Sequence, residues 1–219
     1  MSNTGDSFID EVAEEVRRDR LFRLMRRYGW IGIAAVVLVV GGAAVTEWRR
    51  AEARAAAEAL GDGLYAALRS ETPEARAAAL DGLATGPGAA PALMLEAGAL
   101  VAAGETEAAA ARLQALAEDS GQPRIWRDLA ALKRVMLLGR GLTPEERIAA
   151  LQPLAAPGAP FRVFAVEQEA LARLDAGERE PALALLRSLL ADQEASLGLR
   201  LRAAQLMVAL GAEPTPGQG

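Results

Sequence analysis

The longest stretch of the chain without a charged residue runs from Tyr28 to Thr46. Its 19 residues are mainly valine, leucine, isoleucine, alanine and glycine. They lack the regularly spaced polar positions that mark a surface helix of a soluble domain. As an α-helix the stretch would be about 28 Å long, close to the thickness of the hydrocarbon core of a bilayer. The pattern therefore predicts a transmembrane helix over residues 28–48.

Two other interpretations of this stretch stay open, a buried helix of a soluble core and a cleaved export signal. Small residues such as Gly42, Ala43 and Ala44 would suit a signal peptidase. Against cleavage, the apolar run is longer than that of a usual signal, and the 27 residues before it carry six acidic side chains. A retained membrane anchor fits these features best.

Aromatic and basic residues stand at both ends of the predicted span, where such side chains favour the lipid–water interface. The predicted membrane-interface residues are Arg26, Arg27, Tyr28, Trp30, Trp48, Arg49 and Arg50. Six arginines precede the span (Arg17, Arg18, Arg20, Arg23, Arg26 and Arg27) and three follow it closely (Arg49, Arg50 and Arg54). Positive flanks stay in the cytoplasm, which predicts a cytoplasmic segment 1–27, a single-pass anchor in the plasma membrane and a domain outside it. In a Gram-negative cell these locations are the inner membrane and the periplasm.

The cytoplasmic segment has a helical pattern of its own from Ser7 to Arg27. Acids come first and arginines last, which suits the helix dipole, and an N-terminal cap is expected near Ser7. Two interpretations remain: a helix next to the membrane whose arginines meet anionic lipid, and a docking element for a cytoplasmic partner.

After Trp48 the pattern is helical throughout, because Ala, Leu, Glu and Arg dominate and no strand-like alternation occurs. Residues 100–119 align with residues 173–192 at an offset of 73. The expected turn residues Ser70, Gly104, Gly139, Gly177 and Gly211 lie 34, 35, 38 and 34 apart. A period near 34 with glycine between two helices is the tetratricopeptide spacing. The alternative is an Ala/Leu-rich helical bundle without repeats.

The predicted fold is therefore all-α, with the membrane helix followed by a tetratricopeptide-like solenoid of about four helix pairs and a closing helix. The solenoid domain covers 49–210, and the proline-containing segment 211–219 is a predicted disordered tail. The expected helices are 49–70 with 73–85, 89–103 with 105–119, 122–138 with 144–155, 160–176 with 178–192, and 195–210. The third pair should be irregular, because it carries Pro153, Pro157 and Pro160. The alanine pairs Ala97/Ala109 and Ala170/Ala182 are expected where paired helices approach closely.

Composition narrows the function. The formal charge of −5 argues against nucleic-acid binding, and the absence of histidine and cysteine removes most acid–base, thiol and metal chemistry. No phosphate-binding loop or nucleophile elbow occurs. Glu96, Glu167 and Glu169 lie in apolar stretches, where charges on the rim of amphipathic helices are expected. We therefore expect neither an enzyme nor a cofactor, metal or small-molecule substrate.

Three segments carry a family resemblance: "FIDEVAEEVRRDRLFRLMRRYG" before the span, "EWRR" after it, and "FRVFAVEQEALARLDAGEREPALALLRSLL" in the repeats. Their order resembles the ancillary subunits of the Sec translocon, single-span proteobacterial inner-membrane proteins with a tetratricopeptide-like periplasmic domain. The repeat segment carries Ala165, Glu169, Gly177 and Ala182. The resemblance covers nearly the whole chain. It implies a protein beside the translocon that meets periplasmic chaperones and exported clients, without enzymatic activity.

Helical repeats bind partners in the groove formed by the first helix of each pair. The groove-facing positions expected here are Met94, Trp126, Leu129, Lys133, Met136, Phe164, Glu167 and Leu171. The set is mostly apolar, which suits loosely specified segments such as unfolded polypeptide. Trp126 and Phe164 are alternatively packing residues between repeats. Two functions follow: an adaptor that hands exported chains to folding factors, and a structural subunit of another envelope complex that binds no clients.

Overall fold

The computed structural model describes residues 5–86 and 89–214, with side chains from residue 25 onward except residues 29 and 33. In these residues the protein is all-helical, as predicted, and has no strand. The helices are α1 (Gly5–Leu68), α2 (Pro73–Asp81), α3 (Ala90–Ala102), α4 (Thr106–Glu118), α5 (Arg124–Leu138), α6 (Pro144–Leu151), α7 (Arg162–Asp175), α8 (Arg179–Ala191) and α9 (Leu197–Ala209). A short 3₁₀ turn, Gly139–Gly141, follows α5.

Helix α1 joins the three predicted N-terminal segments in one helix of 64 residues. The helix begins at Gly5, two residues before Ser7, near which the N-terminal cap was expected. The part from Met25 to Leu68 is long and apolar enough to cross a membrane; the mean hydropathy of its most apolar window is 2.1, and none of that window is buried. By length and composition this segment fits a membrane span or an export signal.

The chain divides into two compact units, residues 1–59 and 60–219. Within the second unit the main packing contacts join helices that follow one another in sequence, from α2 through α9. Each helix thus buries its apolar face against the helices before and after it. The hydrophobic cores therefore form between helices that are close in sequence. The four alanines expected at close helix approaches are all buried: Ala97 is 2% exposed, and Ala109, Ala170 and Ala182 are 0% exposed.

Side-chain caps explain where several helices start. The Thr72 hydroxyl accepts a hydrogen bond from the Ala75 amide, and Pro73 occupies the first turn of α2, where no amide hydrogen is needed. Thr143 and Glu146 form a reciprocal capping box at the start of α6.

Glycines follow helices α3 and α7 in the same conformation. Gly104 and Gly177 have φ of 83° and 78°, values that a residue with a Cβ adopts at a cost. At each site the amide of the following residue donates a hydrogen bond of 2.8 Å to a carbonyl in the last turn of the helix. These bonds run from Glu105 to Leu100 and from Glu178 to Arg173. Gly139 and Gly211 also have positive φ, which confirms the predicted turn glycines; Gly86 and Gly158 were not predicted.

The third helix pair is irregular, as expected. Helix α6 has eight residues and ends at Leu151, two residues before Pro153, which cannot donate the next backbone hydrogen bond. Helix α2 likewise ends at Asp81, four residues short of the predicted end. Of the predicted disordered tail, residues 211–214 follow α9 without helix, and residues 215–219 lie outside the described part of the chain.

Candidate binding groove

An open apolar cavity of about 470 Å³ lies in the second unit, between alternate helices of the chain. Its walls come from α3, α5, α7 and the residue before α7, and these helices are the first of the second, third and fourth predicted pairs. The lining residues are Met94, Leu95, Trp126, Leu129, Leu132, Lys133, Met136, Phe161, Phe164, Glu167 and Gln168. We call this cavity, with its extension described below, the α3–α5–α7 groove.

Helical periodicity explains the composition of the wall. On α5 the lining positions Trp126, Leu129, Lys133 and Met136 are spaced by three or four residues, which places them on one face. Other α5 residues, such as Ala130 and Val135, are buried in the cores. The helix therefore has two apolar sides, one packed against its neighbours and one lining the groove.

The structure brings seven of the eight predicted groove residues to this cavity. Leu171 is not among the lining residues; it lies one helical turn beyond Glu167 and Gln168, where the wall ends, and is half-buried. Four lining residues were not predicted: Leu95, Leu132, Phe161 and Gln168. Phe161 belongs to the loop before α7, so helical register alone could not place it.

The lining residues of the groove differ in how far their side chains are exposed to solvent. Met136 and Phe164 are 54% and 42% exposed, so neither is a buried packing residue between helices. Trp126 is half-buried and packs against the core cluster that contains Ala97 and Leu113 while also lining the cavity. The packing interpretation thus applies to Trp126 in part and not to Phe164.

A second cavity of about 350 Å³ extends the groove along α3 and α5. It is lined by Ala97, Gly98, Val101, Leu113, Lys133, Met136 and Leu137. Lys133 and Met136 line both cavities and therefore stand where they adjoin. The second cavity is the smaller of the two, and its α3 wall consists of Ala97, Gly98 and Val101.

Of the two charged residues that line the groove, Glu167 has an ion-pair partner and Lys133 has none among the described residues. Arg202 of α9 donates two hydrogen bonds to Glu167, at 2.8 and 3.0 Å, which neutralises the carboxylate of the wall. Glu169, on the same helix, pairs with Arg173 at 2.7 Å. Lys133 is exposed, and no carboxylate of the described residues lies within 4.0 Å of its ammonium group.

Glu96 was expected on the rim of an amphipathic helix, and that expectation is wrong. The residue is only 2% exposed, and its carboxylate is held at 2.7 Å by Arg112, which also reaches Asp81 at 2.6 Å. Burial raises the pKa of Glu96, and the positive charge of Arg112 opposes that shift. This ion pair links α2, α3 and α4 and takes no part in the groove lining.

The predicted membrane-interface residues all lie on α1. Tyr28, Trp30 and Trp48 are 52%, 67% and 66% exposed, and the guanidinium of Arg27 lies 5.9 Å from the centre of the Tyr28 ring. Arg50 lies 3.7 Å from Glu47. Such exposed rings suit an interfacial position.

The described residues thus form an all-helical protein with one long exposed apolar helix and an open apolar groove. No protein-family model, curated protein or solved structure matches the chain.

Proposed function

We propose that this protein is a membrane-anchored adaptor whose groove captures apolar segments of exported polypeptides. The observation that carries the proposal is the α3–α5–α7 groove, in which alternate helices supply a continuous apolar wall with exposed Met136 and Phe164 on its rim. Exposed large apolar side chains around a cavity are typical of protein interaction sites.

A tetratricopeptide-like solenoid is the arrangement that we propose for α2 to α9. Contacts mainly between consecutive helices support it, since repeat arrays contact only their neighbours. The repeated glycine caps at Gly104, Gly177 and Gly211 support it as well. In that arrangement α3, α5 and α7 would line the concave side.

For the cellular setting we propose a single-pass anchor in the inner membrane, with the amino terminus in the cytoplasm and the helical domain in the periplasm. The exposed apolar part of α1 and the six arginines before the span against three after it support this topology. Association with the Sec translocon, and hand-over of clients to periplasmic chaperones, rests on the resemblance of the three sequence segments.

The chemistry of the wall favours unfolded polypeptide over a folded partner. Methionine and aromatic side chains adapt to apolar groups of different shapes. A groove lined by Met94, Met136 and Phe164 can therefore accept many sequences with modest affinity for each. No catalytic role is proposed for any residue of the groove.

The test replaces Met136 and Phe164 together with serine. Because both are exposed, the double variant should retain its melting temperature, whereas its photo-crosslinking to a translocating substrate should fall several-fold. The matched control is Leu201→Ser with Val208→Ser on α9, which are 54% and 59% exposed and lie outside the groove lining. Normal melting with undiminished crosslinks in the groove variant would contradict the client-binding role.

A structural subunit of another envelope complex is the second candidate, and one observation favours it. Leu197, Leu201 and Val208 form an exposed apolar stripe on α9. If this function is correct, the α9 double variant should break a stoichiometric complex in native membranes, and the groove variant should leave that complex intact. Crosslinking mass spectrometry on both variants separates the two functions.

A further inference from the structure

Lys133 is the only lysine in the chain, and it occupies the centre of the α3–α5–α7 groove. It lies on α5 one turn after Leu129 and one turn before Met136. It also lines both cavities of the groove, with apolar side chains on either side. An ammonium group in such a position requires a counter-charge when a ligand excludes water from the groove.

The described part of the protein does not supply that counter-charge. Glu167, the acidic residue that lines the larger cavity, already accepts two hydrogen bonds from Arg202. The smaller cavity is lined by apolar residues and glycine apart from Lys133 itself. A purely apolar ligand would therefore cover an unpaired cation, which costs free energy, whereas a ligand with a carboxylate would neutralise it.

We infer that the groove selects apolar peptide segments that carry one aspartate or glutamate between two groups of bulky apolar side chains. The carboxylate would pair with Lys133, while the flanking groups would fill the two cavities. The larger cavity, lined by Trp126, Phe161 and Phe164, suits aromatic or long aliphatic side chains. The smaller one, lined by Ala97, Gly98 and Val101, suits a leucine or valine. This inference rests on the proposed capture of apolar segments.

A lysine suits this selection better than an arginine would. Its ammonium group is a compact charge on a flexible stem, so it can follow a carboxylate presented at varied depths and angles. An arginine would favour one planar, two-point geometry. The groove thus combines adaptable apolar walls with an adaptable cation, which gives selectivity for charge without strict sequence specificity.

The experiment uses the full chain in nanodiscs of neutral lipid and three short synthetic peptides, measured by isothermal titration calorimetry. The three peptides have the same flanking residues, leucine and phenylalanine on both sides of a central position. They differ only at that central position, which is aspartate, asparagine or lysine. A hydrogen-bonded ion pair that is partly withdrawn from water should give the aspartate peptide about a tenfold tighter Kd than the asparagine peptide. The difference should shrink as salt is raised.

Variants assign that preference to Lys133. Lys133→Gln should bind the aspartate and asparagine peptides equally, and Lys133→Glu should prefer the lysine peptide. The matched control is Arg124→Gln, which removes a positive charge from the same helix at an exposed position outside both cavities and should keep the preference. Lys133 is exposed, so its variants should fold normally.

The outcomes distinguish the inference from the proposed function. Equal binding of the aspartate and asparagine peptides to the unaltered chain would overturn the carboxylate selection and leave the apolar groove standing. Failure of every peptide to bind would overturn both. Binding of laurate, an apolar chain with a carboxylate, without binding of any peptide would overturn the assignment to polypeptide.

Discussion

Replacing Ala182 with leucine tests the packing on which the helical domain depends. Ala182 is 0% exposed and lies in α8, which packs against both α7 and α9. Leucine adds three heavy atoms at a site where no space is open to solvent. The helices must therefore move apart or the new side chain must adopt a strained rotamer.

The expected cost follows from the degree of burial. Overpacking of a close-packed interior destabilises by about 1–3 kcal/mol, and the difference in helix propensity between alanine and leucine is much smaller. For a domain of this size each kcal/mol lowers the melting temperature by about 2–4 °C. The variant should thus melt roughly 2–12 °C below the parent.

The same helix provides a matched control. Ala184, two residues further on, is exposed, so Ala184→Leu adds the same atoms toward solvent and should stay within about 0.5 kcal/mol of the parent. Both variants would be melted as full chains in nanodiscs and followed by circular dichroism at 222 nm. Equal melting temperatures for the Ala182 and Ala184 variants would refute the close approach of helices at Ala182.

Three further predictions concern the turns, the ion pairs and the topology. Gly177→Ala should destabilise by about 1–2 kcal/mol in urea unfolding because of its positive φ, whereas Gly198→Ala, inside α9, should be neutral or slightly stabilising. Hydrogen bonds from Arg140 and Arg147 hold the pKa of Asp175 below its ordinary value, and Arg162 does the same for Asp192. Their stabilisation should be present above the ordinary pKa of 3.8 and lost as the pH falls below it, and Asp175→Asn should flatten the fall of melting temperature with acid. Protease added to spheroplasts should digest the domain after Trp48; digestion only after the inner membrane is opened would reverse the proposed orientation.

Much of the helical pattern could be predicted because its signals are local. Gly104 and Gly177 each end a helix by a positive φ. The amides of the glycine and of the next residue then donate hydrogen bonds to carbonyl groups of the last helical turn. Because residues 100–119 align with residues 173–192 at an offset of 73, a helix end predicted in one segment predicts the corresponding end in the other. The prolines after α6 predicted a short helix there, but the helix ends at Leu151, four residues before the predicted end.

The features that were missed depend on contacts between distant residues. The sequence places Glu96 in an apolar stretch, but only the approach of α4 shows that Arg112 meets it and permits its burial. In the groove, Phe161 reaches the cavity through the path of the loop before α7. Leu171 has the right helical register, yet it falls beyond the end of the wall.

The sequential packing of α2 to α9 has a consequence for how the domain reaches its native state. Contacts between neighbouring helices close only short loops of chain, and proteins with such low contact order fold quickly. Each helix finds its main partner within the preceding few tens of residues, so a chain that emerges gradually from a pore can fold from its amino-terminal end while the rest is still unfolded. The domain would then need little help from the folding factors whose clients it is proposed to bind.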